Sequence, residues 1–470
     1  MQNLLLYIKN NLTPTLAQIL LQALRNSNNE KFFTFVLENI EIICEWLNSK
    51  EFQENYINHP YPPLLNPNYI DTDASRHCAE LAWDLNLPLP KHYKFIYISP
   101  HGVGAAAFLR YLNEACNVFC LASWVLPYDA KERYCINYMC LNDKNIPDQA
   151  INISELNIIN LEKYLALLDP HSKVICGIRD PIGILKHNWG RDWSKVQRNF
   201  QNKFDLTYDY RNYINFLNHK KPEIKINLGE LNYSVFIINY LSKYFNQEYI
   251  YYLDMEKIKT KNAFQTMKDL AFRFGFTPPC PKESGNLFKI QEFRGYIRYL
   301  FPITLYANQK DLNNIFSIKY PNNNPNASID TSTSIAIILD RPYKNSQKIN
   351  IINEILNNDL SNDMSVYIDK SDLEKLEKNT LFFKQIKNYL YEFLQAIHKT
   401  IKHTEDSMMK EEDVLLYFSK NKTLTLEFKE IFNKELKYIK QSHPNIIASW
   451  KYYQEFEKIC EELDKKNKIV

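Results

Sequence analysis

Apolar and polar positions recur with two different periods along this chain, and the change of period locates its elements. Over the first fifty residues the period is helical. Leu16, Ile19, Leu20 and Leu24 form one stripe behind Thr13-Pro14, an N-cap residue followed by Pro at the first helical position. Phe32–Leu47 repeats the pattern, so residues 1–50 are expected to form a helical extension. Residues 51–93 hold Pro60, Pro62, Pro63, Pro67, Pro88 and Pro90 and read as a Pro-rich linker, interrupted by a short helix near Ala74–Leu85. From residue 94 short apolar runs of strand character alternate with helical runs. The strands are Lys94–Ile98, Asn117–Ala122, Lys173–Ile178 and Glu248–Leu253; the helices are Gly104–Cys116, Leu161–Leu168, Gly229–Phe245 and Asn262–Phe274. Strands that alternate with helices predict an α/β fold with a central parallel sheet. Thr333–Leu339 reads as a further strand and Tyr320–Pro325 as a surface loop. Residues 346–470 read as helical. Their strongest helix is Leu381–Thr400, with Phe382, Ile386, Tyr389, Leu390, Phe393, Leu394 and Ile397 on one face and a frayed tail expected at Lys465–Lys468. The expected organisation is therefore a helical extension (1–50), a linker (51–93), an α/β domain (94–345) and a helical C-terminal region (346–470).

Glycine usage adds candidate chemistry to this pattern. The chain has 9 Gly in 470 residues, against a usual content of about 7%. Gly102, Gly104, Gly177, Gly183 and Gly190 fall in two short stretches. In the first, the strand Lys94–Ile98 passes through Ser99-Pro100-His101-Gly102-Val103-Gly104 into a helix opening at Ala105. Such a turn aims free backbone N–H groups at one spot, and the helix dipole adds positive character there, so the spot favours phosphate or sulfate. Gly102, Val103, Gly104 and Ala105 are its candidate binding residues. In the second, Val174-Ile175-Cys176-Gly177-Ile178-Arg179-Asp180-Pro181, a buried strand ends at Arg179, whose guanidinium suits bidentate phosphate contact. His187 follows two helical turns later. In parallel sheets ligands bind beyond the carboxyl ends of the strands, where both stretches lie.

Charge and composition narrow the partners. A net charge of +3 does not argue for nucleic acid. The nine cysteines contain no CxxC pair, and the ten histidines no HExxH or HxH, so neither a metal site nor a disulfide framework is indicated. No apolar stretch approaches the ~18 residues of a membrane span, and the apolar run Leu4–Ile8 is too short for a signal peptide. A cytoplasmic protein is expected, with peripheral attachment to the inner face of a membrane as the alternative.

The two stretches together resemble the sulfotransferase superfamily, whose P-loop-like strand–loop–helix has the form Pro-Lys-Ser-Gly-Thr-Thr and whose later strand ends in Arg-(Asp/Asn)-Pro. Pro100–Gly104 stands at the first place and Arg179-Asp180-Pro181 at the second. Tyr251-Tyr252-Leu253-Asp254-Met255-Glu256 is similar to that superfamily's Tyr-Glu-Asp-Leu strand end, and the helix Phe264–Phe274 with Gly275-Phe276 follows. The chain departs from the pattern in four places. The loop Lys is replaced by His101 or Gly102, the Thr pair by Ala105-Ala106, and the Ser eight residues beyond the Arg by His187; Arg294-Gly295 is a weak match to the C-terminal signature. The chain as a whole also resembles a bacterial domain family of unknown function (DUF2972-like) found among capsule and surface-polysaccharide genes.

These resemblances imply a P-loop-type, sulfotransferase-like topology. They imply a transferase that moves a sulfuryl or phosphoryl group, such as O-methyl phosphoramidate, from a nucleotide donor to a hydroxyl of a surface-polysaccharide sugar. The donor would be 3′-phosphoadenylyl sulfate or a CDP-linked compound, with no tightly bound cofactor. The expected catalytic residues are His101, donating to the leaving oxygen, and a base on the acceptor hydroxyl, for which Asp129 and Glu132 both follow the second strand and Glu132 is preferred. Gly102, Val103, Gly104 and Ala105 would hold the transferred group, and Arg179 and His187 a donor phosphate. Two other classes stay open: a nucleotide-sugar glycosyltransferase, for which Asp71-Thr72-Asp73 is the available DxD, and a non-catalytic interaction protein.

Overall fold

A computed structural model describes residues 2–69, 73–190, 202–214, 223–289, 301–311, 329, 331–342, 347–356 and 364–468. Arg294-Gly295, Tyr320–Pro325 and the Asp71-Thr72 pair lie outside them. The chain divides into two compact units, each discontinuous in sequence. The first gathers residues 1–184, 227–279 and 422–470, and the second residues 185–226 and 280–421. Boundaries drawn along the chain at 50, 93 and 345 do not follow this division.

Ten strands lie among the described residues: β1 Tyr93–Ile98, β2 Val118–Cys120, β3 Asp148–Ile153, β4 Val174–Ile178, β5 Lys203–Asp205, β6 Ile250–Asp254, β7 Ile303–Ala307, β8 Ile335–Asp340, β9 Ile349–Asn350 and β10 Ser365–Ile368. The helices that matter for the argument are α1 Ala105–Ala115, α2 Ala130–Asn142, α3 Pro181–Trp189, α4 Thr260–Phe274, α5 Thr380–Ser407, α6 Lys422–Glu435 and α7 Lys451–Lys468.

The first unit is built on a five-stranded, all-parallel sheet of order β2-β3-β1-β4-β6. Ile96 of β1 pairs with Ile151 of β3 on one side and Val174 of β4 on the other. Phe95–Ile98 and all of β4 are buried, as expected where helices cover both faces of a parallel sheet. The strand that leads into the glycine turn is therefore central, and the loops after β1, β3 and β4 open on the same sheet edge. The expected parallel α/β sheet is present, and four of its five strands stand where the pattern placed them.

The fifth, β3, was not legible. Its sequence, Asp-Gln-Ala-Ile-Asn-Ile, mixes polar and apolar residues, yet it sits beside β1 with its polar side chains paired. Gln149 donates to the Cys140 carbonyl (2.6 Å), and Asn152 donates to Ser99 Oγ (2.7 Å) while accepting from the amide and hydroxyl of Ser123. Burial of such groups is tolerated because they are hydrogen-bonded. Helix α2 escaped for a related reason. Its buried residues, among them Arg133, Tyr134, Asn137, Tyr138 and Asn142, do not form an apolar stripe.

Two expected helices are broken. Asn39 ends Glu30–Glu38 and begins Ile40–Asn48. The run 229–245 resolves into Leu228–Ser234, Ile238–Leu241 and a 3₁₀ turn, and the amides of Ile238 and Asn239 bond to the Glu435 carboxylate instead of continuing a helix. At the N-terminus Thr13 caps its helix as expected, accepting from the Leu16 amide. At the other end α7 continues to Lys468 where fraying was expected.

The second unit holds a mixed sheet of order β5-β7-β8-β10-β9, parallel only between β5 and β7. β8 matches the expected strand; β9 and β10 fall in the region read as helical. Helix α5 packs its apolar face into this unit's core. All seven stripe residues from Phe382 to Ile397 are buried, and Phe393 meets Phe204 and Tyr210.

Candidate anion-binding site

The turn after β1 needs glycine at two positions. Gly102 (φ 92°) and Gly104 (φ 81°) both take left-handed backbone conformations, which other L-residues adopt only at a cost. Gly104 is the N-cap of α1. Among the described residues, the amides of Gly102, Val103, Gly104, Ala105 and Ala106 donate to no protein acceptor, while the His101 amide is held by the Ser234 carbonyl (2.8 Å). A row of unpaired amides at the start of an eleven-residue helix is a donor set suited to an anion.

The second stretch reaches the first. Arg179, one residue past β4, donates from Nη1 to the Gly102 carbonyl at 2.9 Å. Its guanidinium lies over Gly183 in the first turn of α3: a Cβ there would meet Nε at 2.8 Å and Nη2 at 3.1 Å. Gly177 makes room in the same way, since a Cβ on it would meet Val103 Cγ2 at 2.9 Å and Tyr97 Oη at 3.0 Å. Four glycines of a glycine-poor chain thus surround one contact between two loops 77 residues apart.

The remaining sequence candidates divide. His187 lies in the last turn of α3, in the part of that helix that groups with the second unit. Glu132 lies in the first turn of α2 and grips Arg76, with Oε2 accepting from Nη1 at 2.9 Å and Oε1 from Nη2. The Arg76 hydrogen bond holds the Glu132 carboxyl below its ordinary range, which weakens it as a proton acceptor.

Two residues that the pattern did not single out stand beside His101. Glu155, just beyond β3, places Oε1 at 3.5 Å from His101 Nε2. On its other side Oε2 lies 3.7 Å from Nη2 of Arg133, a side chain only 2% exposed, whose Nε is anchored on the Pro127 carbonyl (2.7 Å). Glu155 Oε2 and Arg133 Nη2 are both buried without a hydrogen-bond partner. Neither residue belongs to a motif, because an acid after an unrecognised strand and an Arg inside a polar helix carry no periodic signal.

Two carboxylates bind the C-terminal helices to the carboxyl edge of the parallel sheet, and a third binds them to residues 238–239. Asp180 Oδ2 accepts from the amides of Tyr452 and Tyr453 (3.0 and 3.1 Å) at the start of α7, and its Oδ1 from Ile182. Asp254, the last residue of β6, accepts from Trp450 Nε1 (2.7 Å). Glu435 of α6 accepts from Ile238 and Asn239 and lines a small, mostly apolar cavity with Arg179, Pro181, Phe236 and Trp450. Burial pushes the Glu435 carboxyl up from 4.5 to about 7; its two backbone hydrogen bonds and Lys434 oppose the rise.

A raised folded-state value means that the folded protein prefers the protonated acid. The stability contribution of Glu435 is complete below pH 4.5 and is lost as pH climbs through about 7. The stability of wild type relative to Glu435→Gln is therefore expected to fall by about 3 kcal/mol over that window. Urea unfolding of both proteins across it measures the difference. A flat difference would show that the carboxyl is not raised.

Residues 252–463 match the model of the family described as "Protein of unknown function (DUF2972)". This span, a little under half of the chain, supports the DUF2972-like resemblance. It takes in Asp254, Glu435 and Trp450 and leaves out the glycine turn, Glu155 and Arg179. Neither a curated protein nor a solved structure matches the chain. Among the described residues no helix is long and apolar enough to cross a membrane.

Proposed function

We propose that this chain is a group transferase that moves a small anionic group, sulfuryl or phosphoryl, from a nucleotide donor to a hydroxyl of a surface-polysaccharide sugar, on a sulfotransferase-like, P-loop-type arrangement. The contact between Arg179 and the Gly102 carbonyl carries the proposal, because it joins the two phosphate-suited elements at one end of a parallel sheet. The free amides of Gly102–Ala105 hold the transferred group or its bridging phosphate. Arg179 adds a fixed positive charge at the wall of the same loop. Transfer of this kind has a loose transition state, so the main tasks are to position the reactants and to spread negative charge over oriented donors. His101, on the turn itself, serves the proton transfer. Glu132 stays outside the proposed set because both its oxygens bind Arg76. His187 stays outside because it groups with the second unit.

Thermal melting with 3′-phosphoadenosine 5′-phosphate, CDP and UDP side by side tests this. One nucleotide at 100 times its Kd is expected to stabilise the protein by about 2.7 kcal/mol. Arg179→Lys, which keeps the charge but loses the planar fork, is expected to reduce that gain, and His101→Ala to keep it while abolishing transfer. Stabilisation by UDP or CDP with sugar transfer would instead support a glycosyltransferase. If none of the three nucleotides raises the midpoint, the transferase proposal falls.

A further inference from the structure

We infer that Glu155 and Arg133 form a positioning relay behind His101, which makes the His101 imidazole the base that removes the proton of the acceptor hydroxyl. The inference rests on the transferase proposal and goes beyond it by fixing the orientation and role of His101.

The geometry runs outward from the core. Arg133 is buried inside α2 and anchored on the Pro127 carbonyl. A guanidinium so placed cannot move toward solvent, and it faces the Glu155 carboxylate at 3.7 Å. Glu155 in turn has one oxygen buried against Arg133 and the other facing His101 Nε2 at 3.5 Å. The backbone keeps these groups in register: the His101 amide bonds to the Ser234 carbonyl, and the Leu156 amide, next to Glu155, bonds to the Tyr233 carbonyl (both 2.8 Å). The two loops are thereby fastened to one turn. His101 is partly exposed, at 31% of its side chain.

This order, buried cation, carboxylate, imidazole, solvent, has a chemical consequence. With Nε2–H turned toward Glu155 Oε1 at 3.5 Å, neutral His101 carries its lone pair on Nδ1, away from the carboxylate. That nitrogen accepts the proton as the acceptor oxygen forms its bond to the transferred sulfur or phosphorus and the bond to the donor's bridging oxygen breaks. The electron pair of the broken bond leaves on the donor phosphate. The positive charge that appears on the imidazole faces Glu155, whose other oxygen lies against Arg133. The sequence led us to expect His101 as a donor to the leaving oxygen. The carboxylate on Nε2 favours the opposite direction of proton movement.

The ring tautomer provides a test that needs no substrate. On histidine-¹⁵N-labelled full-length protein at alkaline pH, with His101→Gln to assign the signal, the wild type is expected to show the Nε2–H form and Glu155→Gln a mixture of forms. An Nδ1–H form in the wild type, or identical spectra in the two proteins, would overturn the relay, whatever the nucleotide screen reports. In transfer assays Glu155→Gln is expected to lower kcat by roughly 10²–10⁴-fold with the donor KM within about twofold and nucleotide stabilisation intact. A wild-type kcat in that variant, or a loss of kcat together with nucleotide binding, would assign Glu155 to structure alone. If no nucleotide binds the wild type, the transferase proposal fails while the tautomer still decides the relay.

Discussion

Gly104→Val is expected to cost about 2–5 kcal/mol of stability and to abolish nucleotide-induced stabilisation. Two separate effects add. A β-branched residue at φ 81° occupies the left-handed region at a cost of about 1–2 kcal/mol. Its Cβ also lands 2.9 Å from Ile258 Cδ1 and 3.3 Å from Met255 Cγ, an overpacking that typically costs about 1–3 kcal/mol. Gly275 separates the two. It has φ 74° but nothing within 4 Å of the added Cβ. Gly275→Ala should therefore show the conformational cost alone and Gly104→Ala a larger one. Urea unfolding followed by circular dichroism measures both. Equal costs for the two alanine variants would mean that Ile258 and Met255 yield freely and that the turn is not closely packed.

Asp180→Ala is expected to lose on the order of 3–5 kcal/mol. The side chain accepts from the amides of Ile182, Tyr452 and Tyr453, and a buried amide left without an acceptor costs roughly 1–3 kcal/mol. Burial raises the Asp180 carboxyl above its ordinary value, and the hydrogen bonds from these amides pull it back. Asp180→Asn keeps one acceptor oxygen and is expected to lose about half as much. The first turn of α7 should then exchange its amide hydrogens much faster in the alanine variant than in wild type. Unchanged exchange at Tyr452 and Tyr453 would show that α7 is held in place without Asp180. The acid of the Arg-Asp-Pro stretch thus has a mechanical task, while its arginine turns to the glycine loop.

These two residues also show what a motif can and cannot convey. Gly104 was legible because a glycine-poor chain spends the residue where the backbone requires it. Asp180 was legible as part of a short motif, but its partners lie 272 and 273 residues away. The C-terminal helices read as an appendage. Through Asp180 and Asp254 they are fastened to the carboxyl edge of the sheet, and through Glu435 to residues 238–239, beside the residues that line the Arg179 cavity.

By itself the sequence determined the local elements whose side chains repeat with a clear period: the apolar strands β1, β4 and β6, the stripe of α5, the Thr13 cap, and the two glycine-bearing turns. Backbone preference and the burial of one apolar face act over a few residues, so they leave a readable pattern. Only the tertiary structure decided that β3 pairs with β1, that Arg179 meets the Gly102 carbonyl, and that Glu155 and Arg133 stand behind His101. Those groups are polar and far apart along the chain, and what holds them is the pairing of each with its distant partner, an energy that no local run of residues records.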